Sequence, residues 1–346
     1  MLILLEIYPY RSKMVDLEIR EIKESEFSTW DKFVENSEQG NLFSTSLWLE
    51  ILNKYPDGNA KLLGVFNSNE LLSGILLYGR KKAFLNIMAY PPLTPFTSII
   101  FSDGKTSKFS KIESTQKKII TLINDYLNKN YNYIALQLEP SIKDIRPFLW
   151  IGWKSLVNYT YEIDLSNIKY LWEKIDKDAK YEINKAKKSN VEVSGSNDID
   201  EFLVLYEKTF LKQNLKMPLN KDFLKEMFEI LSRKNKCRLY LAKTGENEII
   251  SGALTTWDDK KSYYLLAASD PDAKLGANYL LLWNIIEDMS KNFKSMGLVG
   301  ANIPNITKFK REFATKLVPY YIVEKYSSFL IKILVKLYTI STQFRN

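Results

Sequence analysis

Apolar runs recur along this chain in nearly the same order twice, and that order limits what it can fold into. The first half reads strand, helix, three strands, helix, strand. "LEIREI" is a short alternating strand, and "NLFSTSLWLEILNKY" is a loop and an amphipathic helix that turns Trp48, Ile51 and Leu52 inward. "AKLLGVF" and "LLSGILLYGR" flank the turn "NSNE", "AYPPLTPFTSIIF" is a Pro-rich loop entering a strand, 107–128 is a helix, and "YIALQLEP" is a buried strand. "WKSLVNYTYEIDLS" closes this half with strands. The second half reads two helices, three strands, a helix and a strand, after an opening basic helix, "NIKYLWEKIDKDAKYEINKAKKSN", and the strand "VEVSG". Its helices are "DIDEFLVLYEKTFLKQN" and "NKDFLKEMFEILSRKN", and "CRLYLAKT" and "EIISGALTTWDD" form a hairpin. "KSYYLLAASD" is the third strand, "GANYLLLWNIIEDMSKNFKSMG" a long helix and "LVGANI" the last strand. Two copies of one α/β (α+β) plan are expected, each a mixed sheet flanked by helices, although their residues do not visibly repeat. A length of 346 residues suits two domains of ordinary size.

The chain contains no histidine. That removes Ser-His-Asp and Cys-His catalysis, His-ligated zinc and histidine general bases. The single cysteine, Cys237, excludes an internal disulfide and a Cys-cluster metal site, so no metal is expected. Chemistry is left to Lys, Asp/Glu, Tyr, Ser/Thr, main-chain groups or the substrate. The net charge of +8 favours anionic partners such as nucleotides, tRNA or a membrane surface, and also describes an ordinary lysine-rich surface. The N-terminal "MLILLEIYPYRSKM" lacks the basic start and cleavage site of a signal peptide, and Met14 is an alternative start. No stretch has the length of uncharged apolar residues that a membrane span needs.

Several motifs, in this order and spacing, resemble the FemABX-type aminoacyltransferases and related GNAT-like acyltransferases. "NLFSTSLWLEIL" resembles the family's Gln/Ser-x-x-Trp helix, and "AYPPLTPFTSIIF" its Pro-rich loop. "QLEP" stands where the family has an acidic residue before Pro, and "LWEKIDKDAKYEINKAKKSNVEV" where its second domain opens. "SGALTTWDDKKSYYLLAASD", "GANYLLLWNIIEDM" and "NITKFKREFATKLVPYY" follow in family order, so the likeness spans roughly 17–325. It implies GNAT-like domains at 17–160 and 161–325, followed by a basic amphipathic helix at 326–346. It also implies an acceptor cleft between the domains, and transfer of an aminoacyl group from aminoacyl-tRNA, or an acyl group from acyl-CoA. The acceptor would be an amine or hydroxyl of a nucleotide-linked or lipid-linked peptidoglycan or surface-glycan precursor. No bound cofactor is implied, and a cytoplasmic place is expected.

Acyl transfer to an amine needs both substrates held together, a proton removed and an oxyanion stabilised. The resemblance places the oxyanion-stabilising lysine at Lys310 of "KFKREF". Otherwise Lys310 is one of several surface lysines on a short helix. Phe309 and Phe313 are four apart and suit a core face that aims the lysine. Relatives often have Phe-Gly where this chain has Phe313-Ala314, and alanine resists positive φ. Glu139 ends a buried strand and is the acidic candidate, to bind the acceptor amine or accept its proton; the family usually has Asp there. Lys216 and Gln213 occupy a region that contacts acceptor phosphates in relatives, and equally fit a solvated loop. Tyr263 and Tyr264 point to opposite faces, as do Tyr320 and Tyr321, so one of each pair can face a cleft. Tyr264, Phe309 and Asn302 complete the candidate substrate-binding set. Gly276 and Asn278 sit where a CoA loop would cradle pyrophosphate, with Asn278 as a simple helix cap the alternative. Lys180 and Lys185, on the basic helix, could contact donor phosphates or only solvent. The tail "SSFLIKILVKLYTISTQF" places Phe329, Ile333 and Tyr338 near one face, with Lys332 and Lys336 between them. It could dock on an inner membrane leaflet or pack on its own domain.

Overall fold

The computed structural model describes residues 17–56, 58–103, 108–212, 214–270, 272–273 and 275–343. The N-terminal readings and Gln213 therefore lie outside the described residues, as does the side chain of Tyr338. The first half comprises β1 (Leu17–Glu21), α1 (Phe27–Asn36), α2 (Ser46–Leu52), β2 (Asn59–Asn67), β3 (Glu70–Lys82), β4 (Leu85–Met88), β5 (Ile100–Phe101), α3 (Phe109–Asn130), β6 (Tyr133–Gln137), α4 (Arg146–Trp150) and β7 (Lys154–Asp164). The second half comprises α5 (Ile168–Lys174), α6 (Lys177–Lys188), β8 (Glu192–Ser196), α7 (Ile199–Leu211), α8 (Lys221–Arg233), β9 (Cys237–Lys243), β10 (Ile249–Trp257), β11 (Ser262–Ser269), α9 (Ala277–Met289), β12 (Ser295–Gly297), α10 (Pro304–Arg311), β13 (Lys316–Tyr326) and α11 (Phe329–Gln343).

All described strands join one mixed sheet in the order β1-β2-β3-β4-β6-β13-β7-β12-β11-β10-β9-β8, with β5 on β3. The halves exchange strands at its centre. β13, from the end of the chain, lies between β6 and β7 and is antiparallel to both. β7 pairs on its other side with β12. Position 160/161 falls inside β7. The halves also share a core cluster: Trp30, Phe43 and Trp48 bury together with Phe202, Met227 and Tyr263. Tyr263 meets the Phe43 ring edge-on at 4.9 Å, and Tyr55 meets Phe223 at 4.9 Å. Such contacts bind the two halves by ordinary apolar burial.

Four local readings are corrected. The basic helix is two helices, because Ile175 and Asp176 are extended at ψ near 150° and the Asp176 N–H donates to the Glu312 carbonyl at 2.8 Å. Burial of Ile175 pins the break to the core. The last short strand is Ser295–Gly297, and "LVGANI" leaves the sheet as a loop in which Gly300 has φ +85°. The long helix ends at Met289, and its remaining residues turn into β12. "WKSLVNYTYEIDLS" forms one strand, β7. Two strands also went unread: β4, only four residues long, and β13, which Pro319 disguises.

Candidate active site

The site begins where two central strands part. β11 and β12 are paired in parallel at only two positions, Ser262↔Met296 and Tyr263↔Gly297. Beyond them the chain from Leu298 follows β7 instead. The Leu298 N–H donates to the Tyr161 carbonyl at 2.8 Å. Further on, the Asn302 carboxamide accepts from the Tyr159 N–H at 2.9 Å and donates to the Tyr159 carbonyl at 3.0 Å. Asn302 thus supplies with its side chain the bonds a strand would supply with its backbone. The edge of β11 from Tyr264 to Ser269 has no strand partner on that side among the described residues, and Ala267 is exposed between the buried Leu266 and Ala268. A parted pair of central strands presents main-chain donors and acceptors to an entering molecule.

Lys310 stands at this parting. Its Nζ donates to the Leu298 carbonyl at 2.5 Å and to the Val299 carbonyl. It lies 5.9 Å from the centre of the Tyr264 ring. The side chain is buried, and no carboxylate lies within ion-pair distance among the described residues. Burial alone pushes its ammonium down to about 8. The sequence explains the placement. α10 starts with Pro304 at its first position, and Tyr279 meets Phe309 edge-on at 4.9 Å and stacks on Phe313 at 5.9 Å. The aromatic face holds the helix, and Lys310 is left to point between the strands. After the helix Ala314 adopts φ +53°, the left-handed turn that glycine would make without strain. Alanine thus takes a positive φ here despite its usual resistance to it.

A second polar group lies on the opposite face. Tyr263, Gly297, Glu162 and Lys316 form one row across β11, β12, β7 and β13, so their side chains share a face. Tyr264, and with it Lys310, belongs to the other face. On the Tyr263 face, Lys261 pairs with Glu162 at 2.8 Å, and the Tyr263 hydroxyl donates to Asp258 at 3.0 Å. Glu139 joins this cluster from the end of β6. Its main-chain N–H donates to the Ser98 hydroxyl in the Pro-rich loop, and its carboxylate accepts from the Ser141 N–H at 2.7 Å. Burial raises the Glu139 carboxyl above its ordinary range, against the lowering effects of Ser141 and Lys261. Lys261, Glu162 and Asp258 were not singled out from sequence. Asp258 and Lys261 stood in a charged run at a hairpin turn, which usually marks a solvated face, and Glu162 was an acidic residue within a strand.

The same turn docks the halves together. Lys260 donates to the carbonyls of Ser37 at 2.5 Å and Gly40 at 3.1 Å, and Asp258 accepts from the Leu42 N–H at 3.1 Å. A groove of about 1020 Å³ runs there, with Asn41, Thr45, Glu50 and Lys260 in its walls. A smaller hollow of about 700 Å³, beside Arg238, Trp257 and Asp288, lies away from Lys310 near the β8 edge.

The remaining candidates do not gather at Lys310. Gly276 begins α9 at φ +71°, and a Cβ there would come 2.4 Å from the Glu182 carbonyl and 2.8 Å from its carboxylate. The start of α9 therefore packs on α6, with a carboxylate beside it. Asn278 is not the cap, since Gly276 holds that position and no side chain caps the helix. Lys185 pairs with Glu182 at 3.2 Å, and Lys180 donates to the Glu173 carbonyl at 2.9 Å. Lys216 is exposed. The described residues hold no cluster of His, Cys, Asp and Glu suited to a metal ion.

Parted central strands, a helix after them and a second half of similar build define an acyltransferase fold of the GNAT type. The acetyltransferase (GNAT) domain family matches residues 173–302, which span the parting and the start of α9. The whole chain is similar in fold to FemX, at 14% identity and a TM-score of 0.65, over 88% of this chain and 96% of that one. It is also similar to L-PGS from Bacillus licheniformis, at 10% identity and a TM-score of 0.54, over 92% and 97%. A tandem GNAT protein from the clavulanic acid biosynthesis pathway matches at 8% identity and a TM-score of 0.55, over 90% and 99%. No curated protein matches the chain significantly. The fold is thus a tandem GNAT fold of the FemX kind.

Proposed function

We propose that the protein transfers an aminoacyl group onto an amine or hydroxyl of a glycan or peptide precursor, with donor and acceptor meeting at the parting of β11 and β12. The observation that carries this reading is the buried Lys310 ammonium, which has carbonyl partners and, among the described residues, no counter-anion. A desolvated cation without a carboxylate suits negative charge that appears only during reaction. The acceptor nitrogen attacks the carbonyl carbon of the donor ester, and the resulting oxyanion is stabilised by Lys310. Collapse breaks the carbon–oxygen bond, and the donor hydroxyl leaves with a proton that came from the amine. Glu139, on the face opposite Lys310, is proposed to bind the acceptor along that face, while the amine proton passes within the tetrahedral intermediate to the leaving donor oxygen. The acceptor would enter along that face, within reach of the groove between the halves.

The FemABX resemblance favours aminoacyl-tRNA as donor, and so does the carboxylate of Glu182 beside Gly276, which opposes a pyrophosphate at the start of α9. The match of residues 173–302 to an acetyltransferase domain supports a second reading, in which an acyl-CoA is the donor. The precursor may be tested as a nucleotide-linked or lipid-linked sugar. Incubation with each donor and each precursor, followed by mass spectrometry, should show the mass of one added acyl group. Retained precursor binding with no transfer from either donor would replace this reading with a binding module.

A further inference from the structure

One end of the sheet carries exposed aromatic residues among lysines, and it is distant in the fold from the parted strands. A single row across the sheet runs Arg80, Ile87, Tyr133, Tyr326 through β3, β4, β6 and β13. β3 ends just beyond that row in a tight turn with Ala83 at φ +50°. Phe84, at its tip, is 74% exposed, and Arg80, Lys81 and Lys82 are exposed beside it. β13 ends at the same row, and α11 begins three residues later with Phe329 and Leu330, 75% and 64% exposed. Lys154, across from Glu324 at the start of β7, belongs to this end as well.

α11 is apolar on both sides. Ile331, Leu334 and Val335 pack on Ile87, Ala89, Tyr133 and Ala135, while Phe329, Leu330, Ile333 and Leu337 face outward. A surface helix of a self-contained domain keeps its outer side polar. Lys332 touches Lys154, and their repulsion, with Lys336 adding to it, lowers the Lys332 ammonium. Glu324, opposite Lys154, is turned to the hydroxyls of Tyr133 at 2.7 Å, Tyr326 at 3.0 Å and Tyr90 at 3.2 Å and makes no ion pair with Lys154 or Lys332. The surface is one that anions would join.

We propose that this end of the sheet docks on an anionic phospholipid surface, with Phe84 and Phe329 entering the boundary between headgroups and acyl chains. Lys81, Lys82, Lys154 and Lys332 would then lie at headgroup level, where aromatic tips and basic residues act together. A second copy of the chain fits less well, because it would set one lysine cluster against another. RNA would use the lysines and leave Leu330, Ile333 and Leu337 in water. The proposal stands apart from the reaction, and the site at Lys310 lies at the other end of β7 and β13.

Flotation of the purified full chain with vesicles tests it. The protein should float with vesicles of mixed phosphatidylcholine and phosphatidylglycerol, not with phosphatidylcholine alone, and salt should weaken the binding. Phe84→Ser with Phe329→Ser should lower partitioning by about 10-fold or more, from lost apolar burial. Lys81→Gln with Lys82→Gln and Lys332→Gln should lower it on the order of 100-fold. Both variants should keep the parent's melting temperature, since Phe84, Phe329, Lys81 and Lys82 are exposed and Lys332 is only half-buried. No flotation at low salt, equal flotation with both vesicles, or unchanged flotation of both variants would overturn the proposal. So would sedimentation velocity showing that the phenylalanine pair only dissociates a dimer, or tRNA binding that depends on these lysines without vesicle binding.

Discussion

The carboxamide of Asn302 is bonded to Tyr159 at both ends, taking its N–H at 2.9 Å and giving to its carbonyl at 3.0 Å. The pair keeps the loop after β12 against β7 and so keeps it away from β11. Asn302→Ala removes both bonds. The expected cost is about 1–2 kcal/mol of stability, read by urea unfolding. Under the proposed reaction the variant should also lose turnover more than it loses binding, since the loop carries the carbonyls that hold Lys310.

Glycine and alanine at two positive-φ positions should respond in opposite ways. Gly276→Ala forces a Cβ to within 2.4 Å of the Glu182 carbonyl at φ +71°. A loss of about 2 kcal/mol or more is expected, visible as a lower melting temperature. Ala314→Gly relieves a left-handed alanine at φ +53°. Its gain of about 1 kcal/mol is partly offset by the freer unfolded chain, so the melting temperature should hold or rise.

The docking of the halves rests partly on Lys260, whose ammonium gathers carbonyls from the end of α1 and the loop after it. Lys260→Met should leave those carbonyls short of a charged donor and cost about 1.5–3 kcal/mol. Limited proteolysis should then cut the Ser37–Gly40 segment faster than in the parent.

Much of this architecture could be read from the chain, and the failures share a cause. The β2–β3 and β9–β10 hairpins and the α7–α8 pair follow from local period and turn chemistry, and all were legible. The insertion of β13 between β6 and β7 was not, because partner choice among strands is set by distant residues. Pro319 in mid-strand also argued against a strand. The two-part helix at Ile175 is decided by burial of that isoleucine, which a charge pattern does not announce. At the site, the resemblance drew attention to Lys310 and Glu139. The Lys261–Glu162 pair joins a charged turn to β7 and becomes visible only when β7 and β11 are brought to either side of β12.

Lys310 also leaves a mark on stability. Its folded ammonium titrates near 8, below the ordinary lysine value of 10.5, so between those limits the unfolded chain binds more protons. Stability should therefore rise with pH through that window, by on the order of 3 kcal/mol in full. Lys310→Met should lack this rise in denaturant unfolding measured across the same range.

The central claim is that Lys310 acts as a cation toward a forming oxyanion, and the pH dependence of kcat/KM for the parent and for Lys310→Met tests it. The parent rate should fall as pH passes about 8, where the ammonium is lost. The variant should remain folded, be slower by about 10²–10³-fold, and lack that fall. A variant within about threefold of the parent, far short of the loss of an oxyanion donor, or a parent rate that climbs through the same pH would contradict the account.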